Sequence, residues 1–264
     1  LEIFVSYHTY AKYLKFLALS LLAYVLAAFM IKIDWLEVLY HAVTPKIVFS
    51  SDYWVNIVAV LGTTISPYLF FWQANQEVEE SVLAGKLARY GWGKPKIDIR
   101  DIRRMKKDTV IGMFFSNLVM FFIIIMAAVT LNASGIYRIE SASQAAEALR
   151  PLAGEMTFLL FTIGVVGTGL LGVPILAGSA SYALAEAVGW KAGLYRKLDQ
   201  AHGFYGAITV ATVVGLSVNY LGIDSFRMLY YTAVVNGLIA PFLLVAIMMI
   251  SNNKEIMGKY VNGR

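Results

Sequence analysis

The feature that most constrains this chain is a series of apolar stretches, each about as long as a bilayer is thick. A transmembrane helix needs about 20 apolar residues, and the stretches cover residues 13–33, 53–74, 110–131, 156–184, 204–221 and 228–250. Because unpaired backbone groups are too costly in lipid, such segments cross a membrane as helices. The sequence therefore predicts an all-α polytopic membrane helix bundle, a single transmembrane domain over residues 1–264 that is surrounded by lipid.

Composition supports this prediction. Hydrophobic residues make up 59% of the chain and mean hydropathy is +0.65, whereas soluble domains are about 45–50% apolar. Charged residues make up only 15% of the chain and cluster between the apolar stretches. A net charge of +5 suggests nucleic acid in a soluble protein, but loop lysines and arginines between membrane helices set topology. We expect no nucleic-acid partner.

The sequence contains few of the residue patterns that form active sites and metal centres in soluble proteins. The chain has no cysteine, which excludes disulfides and zinc–thiolate sites. The three histidines lie far apart and form no HExxH motif; they are His8, His41 and His202. No pair of His, Asp or Ser residues stands at helical spacing inside an apolar stretch, as an intramembrane active site requires. We expect no enzymatic activity, no catalytic residue and no cofactor.

Loop charges predict the orientation. Residues 86–107 are rich in Lys and Arg, so the positive-inside rule places this loop in the cytoplasm. Alternation then places residues 190–202, the C-terminal tail with Arg264, and Lys12 and Lys15 on the same side. Six spans with both ends cytoplasmic satisfy every loop, and the plasma (inner) membrane of a prokaryote is the expected location. The basic residues of the first loop are Lys86, Arg89, Lys94, Lys96, Arg100, Arg103, Arg104, Lys106 and Lys107.

Two patterns concern packing. Residues 141–150 (SASQAAEALR) are typical of a short amphipathic surface helix, with a plain linker as the alternative. Small residues at the spacing seen in the fourth stretch let helices approach closely, and no phosphate-binding GxxxxGK[ST] motif accompanies them. The glycines concerned are Gly164, Gly167, Gly169, Gly172 and Gly178.

The second apolar stretch is interrupted by residues that disfavour a continuous helix. Proline removes a backbone donor and clashes with the carbonyl four residues earlier, and a neighbouring glycine favours a local break. We expect the chain to be unwound between Gly62 and Tyr68, within the hydrocarbon layer. Freed carbonyls are tolerated there only where protein or a water-filled cavity satisfies them. The interrupting residues are Gly62, Thr63, Thr64, Ser66 and Pro67.

Interrupted helices bind ions in secondary transporters, where unwound carbonyls and half-helix ends coordinate the ion. The carbonyl at Thr63 and the hydroxyl of Ser66 are hard oxygen ligands suited to a cation. A proline kink that serves packing alone is the alternative, since proline is frequent in membrane helices. The density of polar residues at this depth favours the ion site.

Two segments resemble a known family. GTTISPY (62–68) is similar to the sixth helix of the NRAMP divalent-metal transporters, whose usual wording is close to GATVMPH, and YYTAVVNGLIAPF (230–242) resembles the family's tenth helix. The resemblance implies a LeuT-type inverted-repeat fold, of which this chain, beginning at Leu1 without a methionine, would hold helices five to ten. No DPGN motif of the family's first helix occurs here. The missing N-terminal helices of the same protein are expected to complete the site.

The resemblance also assigns roles. Thr63 stands where a backbone carbonyl binds metal, Ser66 where a methionine does, and Tyr68 where a histidine is linked to proton movement. A hydroxyl in place of a thioether favours Mg²⁺ or Mn²⁺ over softer metals. Loss of the histidine removes a group that titrates near neutral pH, which puts proton coupling in doubt. The pattern resembles the NRAMP-related magnesium-transporting branch more than the iron and manganese carriers.

Three further residues are candidates for the metal site or ion pathway. Asn236, with Thr232 one turn earlier, lies on the helix that in the resembled family borders the metal, and both are predicted metal-site residues. Inter-helix hydrogen bonding is the alternative role for such groups. Glu77, with Glu79 and Glu80, lines a predicted ion exit at the cytoplasmic end of the second stretch. The alternative is a solvated helix end that pairs with Lys86.

The predicted function is secondary transport of a divalent metal cation, Mg²⁺ or Mn²⁺, by alternating access. A sodium-coupled amino-acid or solute transporter of the same fold is one alternative. The bulky residues 68–72 disfavour it, because such transporters keep room for a substrate carboxylate at the break. A non-transporting, truncated membrane paralogue is the other alternative.

Overall fold

The structure is a computed structural model that describes residues 13–14, 17–90, 93–132, 134–136, 139 and 141–262, with backbone only at 151–153 and 219. His8, Lys12, Lys15 and Arg264 lie outside the described residues. The regular elements in these ranges are helices, which confirms the all-α prediction for this part of the chain. They are α1 (Leu22–Phe29), α2 (Trp35–Val43), α3 (Ser51–Thr64), α4 (Pro67–Leu83), α5 (Ile99–Ala127), α6 (Ala142–Ala153), α7 (Glu155–Val188), α8 (His202–Tyr220), α9 (Ser225–Ser251) and α10 (Lys254–Met257).

Four helical segments among the described residues are long and apolar enough to cross a membrane: Ser51–Leu83, Ile99–Asn132, Glu155–Val188 and Ser225–Ser251. Two shorter apolar helices, Leu17–Phe29 and His202–Val218, overlap the predicted first and fifth stretches. Large apolar side chains of the long helical segments are exposed on the protein surface. Phe242 on α9, for example, is 77% exposed. Such exposure is costly in water and ordinary in lipid. The number of six crossings remains a prediction.

The chain divides into two compact units. The first unit comprises Leu1–Lys46 and Phe71–Ser225, and the second comprises Ile47–Phe70 and Phe226–Arg264. The interrupted helix therefore contributes to both, α3 to the second unit and most of α4 to the first.

Helix α7 is central to the first unit, because α1, α6 and α8 all pack against it. A Cβ atom at Gly164 would lie 2.6 Å from the Tyr24 ring, so glycine is what lets α1 come this close. The same helix packs Tyr182 against Phe204 of α8, with ring centroids 4.7 Å apart. The predicted packing role is confirmed at Gly164 and also at Gly167, which faces Ser20.

Helix α6 confirms the surface helix predicted for residues 141–150. Ser141 caps it, accepting a hydrogen bond from the Gln144 amide at 3.1 Å, as N-cap serines do. Ala145, Ala146 and Leu149 are buried on one face. The helix therefore packs along α7 rather than acting as a linker.

In the second unit, α3 and α9 meet backbone to backbone. A Cβ atom on Gly62 would lie 1.9 Å from the carbonyl oxygen of Ala233, and one on Gly237 would lie 2.2 Å from that of Val58. Membrane helices use glycine for such close approach. The Tyr230 hydroxyl also donates to Asn56 Oδ1 at 2.8 Å. This contact holds α3 against the segment of α9 that carries Asn236.

Candidate cation site at the interrupted helix

The structure contains the predicted helix break between α3 and α4, but the break is shorter than the sequence predicts. Helix α3 ends at Thr64, Ile65 takes φ −104° and ψ 73°, and α4 begins at Pro67. Proline is well suited to the first position of a helix, where its missing N–H is not needed. The predicted unwinding between Gly62 and Tyr68 is therefore corrected to Ile65 and Ser66. Close packing against α9 keeps Gly62 helical, and the Ile65 amide still reaches the Leu61 carbonyl at 2.7 Å.

The break leaves the Thr63 carbonyl without a backbone donor. Its helical partner would be the amide four residues later, which is Pro67 and has no N–H. The Ser66 hydroxyl takes the place of this donor, at 2.8 Å from the Thr63 oxygen and 3.3 Å from that of Gly62. The two predicted ligands, the Thr63 carbonyl and the Ser66 hydroxyl, are thus adjacent. Ser66 is buried and Thr63 is exposed.

The oxygen–oxygen distance of this hydrogen-bonded pair is also close to that between two neighbouring ligands of a hard cation. Two neighbouring oxygens on an octahedron of 2.1 Å metal–oxygen bonds are about 3.0 Å apart, close to the 2.8 Å between these atoms. The pair lies at the C-terminal end of α3, where the helix dipole carries partial negative charge that attracts cations. The arrangement can replace two hydration waters of a hard cation once the hydroxyl proton turns away.

The hydroxyl groups of Thr63 and Thr64 form hydrogen bonds within α3. Thr63 Oγ1 and Thr64 Oγ1 donate to the Val60 carbonyl at 2.7 and 2.9 Å. Such bonds to the preceding turn are usual for threonine in helices. The hydroxyl of Thr63 is thus used within α3, and its main-chain oxygen is the atom that the break leaves without a backbone donor.

The residues predicted on α9 differ in what they offer. Asn236 is partly buried and precedes Gly237, a contact residue of α3. Its side chain makes no hydrogen bond to any residue in the described ranges. Thr232 is exposed and donates to the Met228 carbonyl at 2.8 Å. The local structure thus favours Asn236 as a further oxygen donor and gives Thr232 a partner in its own helix.

Tyr68 lies in the first turn of α4 and is partly buried. Its position directly after Pro67 places it beside the break, as the sequence predicts. Its phenol offers a hydrogen-bonding group beside the break.

The glutamates of α4 do not form one group. Glu77 and Glu80 are exposed, whereas Glu79 is 1% exposed. The Glu79 carboxylate accepts hydrogen bonds from the Tyr182 hydroxyl and from the amides of Leu194 and Tyr195. The alternative of a solvated helix end is therefore wrong for Glu79. Sequence reasoning missed this role because Tyr182 is 103 residues away.

The structure also contradicts the alternative in which these glutamates pair with Lys86. Lys86 Nζ lies 2.5 Å from Asp101 Oδ1 near the start of α5. Lys86 follows the end of α4, and the chain turns there so that its side chain meets α5 instead. Glu77 keeps an exposed carboxylate, as an ion-exit role requires.

A second polar contact lies beside Glu79. The Tyr90 hydroxyl lies between Asn75 Oδ1 of α4 and Glu186 Oε1 of α7 and shares its one proton with them. Burial, and then the negative charge of Glu186, raises the pKa of Tyr90 above its ordinary value. Tyr90 thus remains a neutral donor that links the loop after α4 to both helices.

Within the ranges that the structure describes, no three His, Cys, Asp or Glu side chains come together in a way that could hold a metal.

Comparison with known proteins finds similarity to three divalent metal cation transporters. The chain is 26% identical over 250 residues to the divalent metal cation transporter MntH of Caldanaerobacter subterraneus subsp. tengcongensis, covering 91% of this chain and 52% of that protein. The MntH proteins of Clostridium acetobutylicum and Chromohalobacter salexigens are 23% and 21% identical, over 91% and 77% of this chain and 51% and 43% of theirs.

The chain thus spans about half the length of the curated relatives it matches. Those relatives are named as transporters, in agreement with the expectation that the chain is not an enzyme. The family model described as natural resistance-associated macrophage protein-like matches residues 1–264. This multi-pass membrane chain therefore belongs to the Nramp family.

Proposed function

We propose that this chain is part of a secondary transporter that moves a divalent metal cation across a membrane by alternating access, on a LeuT-type inverted-repeat fold. The observation that carries the proposal is the oxygen pair at the helix break, Thr63 O and Ser66 Oγ, 2.8 Å apart. Family membership and the named function of the MntH relatives support it. Interrupted helices in secondary transporters bind ions in this way.

Two oxygens do not complete a coordination shell. Mg²⁺ takes six ligands and readily keeps several waters, so the remaining positions are filled by water, by the carboxamide oxygen of Asn236 and by helices of the same protein outside this chain. The partial negative charge at the end of α3 favours entry of the cation. We propose the exposed carboxylate of Glu77 as a later contact on the cytoplasmic side.

The ligand at position 66 favours Mg²⁺ or Mn²⁺ as the transported ion. Oxygen ligands suit these cations, whereas a thioether selects softer metals. We propose that Tyr68 lines the pathway without carrying the coupling proton, because it stands where the resembled family has the histidine linked to proton movement. The basic residues of the loop 86–107 support the proposed location of this side of the protein in the cytoplasm.

Exchange of the ligand type at position 66 tests the proposed selectivity. We expect Ser66→Met to lower Mg²⁺ uptake relative to Mn²⁺ uptake by at least about fivefold, because a thioether binds the harder ion poorly. The measurement is uptake of each ion by the complete protein in proteoliposomes. Ser66→Thr is the matched control, since it keeps a hydroxyl and is expected to keep the wild-type ratio. An unchanged ratio in Ser66→Met would show that this side chain does not contact the ion.

A further inference from the structure

The carboxylate of Glu79 is held by three donors from two other elements of the first unit. Oε1 lies 2.8 Å from the Leu194 amide and accepts a hydrogen bond from the Tyr182 hydroxyl of α7. Oε2 accepts from the Tyr195 amide at 3.0 Å. Leu194 and Tyr195 belong to the segment between α7 and α8. One side chain of α4 thus joins the C-terminal part of α7 to the α7–α8 loop.

The contacts of Glu79 lie in the buried core of the first unit. Glu79 and Tyr182 are 1% and 0% exposed. Gln76, one turn earlier on α4, donates to the Tyr182 hydroxyl at 3.2 Å. Trp72 of α4 packs on the same cluster, and a Cβ atom at Gly178 would lie 2.3 Å from its ring. The face of α4 that carries these residues therefore contacts α7 through Trp72, Gln76 and Glu79.

The loop backbone is shaped to approach the carboxylate. Gly193 has φ +132°, a conformation that side chains rarely adopt, and a Cβ atom there would lie 3.0 Å from Glu79 Oε1. Glycine at this position lets two successive amides, those of Leu194 and Tyr195, turn toward the same side chain. Buried backbone donors left unpaired are costly, so the loop conformation depends on this acceptor.

We infer that Glu79 is a positioning residue that anchors the second half of the interrupted helix to α7 and the α7–α8 loop. The consequence of this anchor rests on the proposed transport function. When the transporter changes conformation, α4 and the α7–α8 loop move together as one body. Glu79 is not among the proposed metal ligands, because both of its carboxylate oxygens accept hydrogen bonds from protein donors.

Glutamine cannot replace this carboxylate. An ionised carboxylate only accepts hydrogen bonds, whereas a carboxamide has one accepting oxygen and an NH₂ group that donates. With Glu79→Gln, at least one of the three donors faces another donor. Glu79→Asp keeps the charge but is one methylene shorter, so it does not reach the Leu194 and Tyr195 amides together. The two variants weaken the anchor in different ways, and either is informative if the other does not fold.

Amide hydrogen exchange tests the anchor without reference to transport. In the complete protein, we expect the Tyr195 amide to exchange about tenfold faster in Glu79→Leu, which is close in size and has no oxygen to accept from this amide. Glu79→Gln and Glu79→Asp can each keep one oxygen on Tyr195 and are expected to cause a smaller change. The Leu194 amide changes less, because the Tyr182 oxygen lies 3.2 Å away as a second acceptor. Glu80→Gln on the exposed side of α4 is the matched control and leaves both amides protected. Unchanged protection of Tyr195 in Glu79→Leu overturns the anchor.

Uptake of Mg²⁺ and Mn²⁺ into proteoliposomes tests the consequence. Glu79→Gln is expected to lower kcat for uptake about tenfold while KM for the metal stays within about twofold, because the ligands at the break are intact. Glu147→Gln on α6 is the control for a surface glutamate. Faster exchange at Tyr195 with unchanged kcat overturns the positioning role. If the wild-type protein moves no metal, the proposed function fails, while hydrogen exchange still decides whether Glu79 anchors the loop.

Discussion

Replacement of Ser66 by alanine is expected to weaken Mg²⁺ and Mn²⁺ binding by about tenfold to hundredfold, with a matching loss of uptake. Even partners outside the first coordination shell commonly change metal affinity by about that factor when they are removed. Here the change removes a proposed ligand that lies 2.8 Å from the other, the Thr63 carbonyl. Calorimetric titration of the complete protein gives the affinity, and proteoliposome flux gives the rate.

Thr63→Val is the matched control for that experiment. Its hydroxyl bonds to the preceding turn, and the proposed ligand is the main-chain oxygen, which valine keeps. We expect metal affinity to stay within about threefold of wild type, since only one neutral hydrogen bond is lost. Equal losses in the two variants would mean that the break is sensitive to any change, and the assignment of Ser66 as a ligand would then be wrong.

Gly62→Ala is expected to cause the largest loss of stability among the substitutions considered. The new methyl group would lie 1.9 Å from the Ala233 carbonyl oxygen and 2.4 Å from the Gly237 amide. Both are backbone atoms, so no side chain can rotate away and α3 must separate from α9. Overpacking commonly costs about 1–3 kcal/mol, and more where the backbone has to shift. Thermal unfolding in detergent, followed through the five tryptophans, measures the change.

The control is Gly172→Ala on α7. Nothing lies within 4 Å of a Cβ atom at that position, and alanine has a higher helix propensity than glycine by about 1 kcal/mol. We expect the unfolding temperature of this variant to stay the same or rise. A Gly62→Ala protein as stable as Gly172→Ala would contradict the close approach of α3 and α9.

The position of the helix break could be predicted from the sequence, but the number of unwound residues could not. Gly62, Ser66 and Pro67 within an apolar stretch favour a break by local chemistry alone. How far the helix unwinds depends on packing against Ala233 and Gly237, which are more than 160 positions away. That contact keeps α3 helical as far as Thr64.

The roles of the α4 glutamates show even more clearly that contacts between distant segments cannot be predicted from local sequence. Glu77, Glu79 and Glu80 are close in sequence, and local reasoning treats them alike. The structure separates them because Glu79 faces Tyr182 and the amides of the α7–α8 loop. The one local signal was helical spacing, since Gln76 and Glu79 share a face with Trp72 and are separated from Glu77. Which face is buried became clear only from the fold.

The most direct test of the central claim is the position of a bound ion. A structure of the complete protein with Mn²⁺, solved with anomalous diffraction, is expected to show an anomalous peak within coordination distance of both the Thr63 carbonyl oxygen and Ser66 Oγ. The chain there should be non-helical at Ile65 and Ser66, as it is here. A saturating Mn²⁺ peak bound elsewhere, or an unbroken helix from Ser51 to Leu83, would contradict the proposed metal pathway.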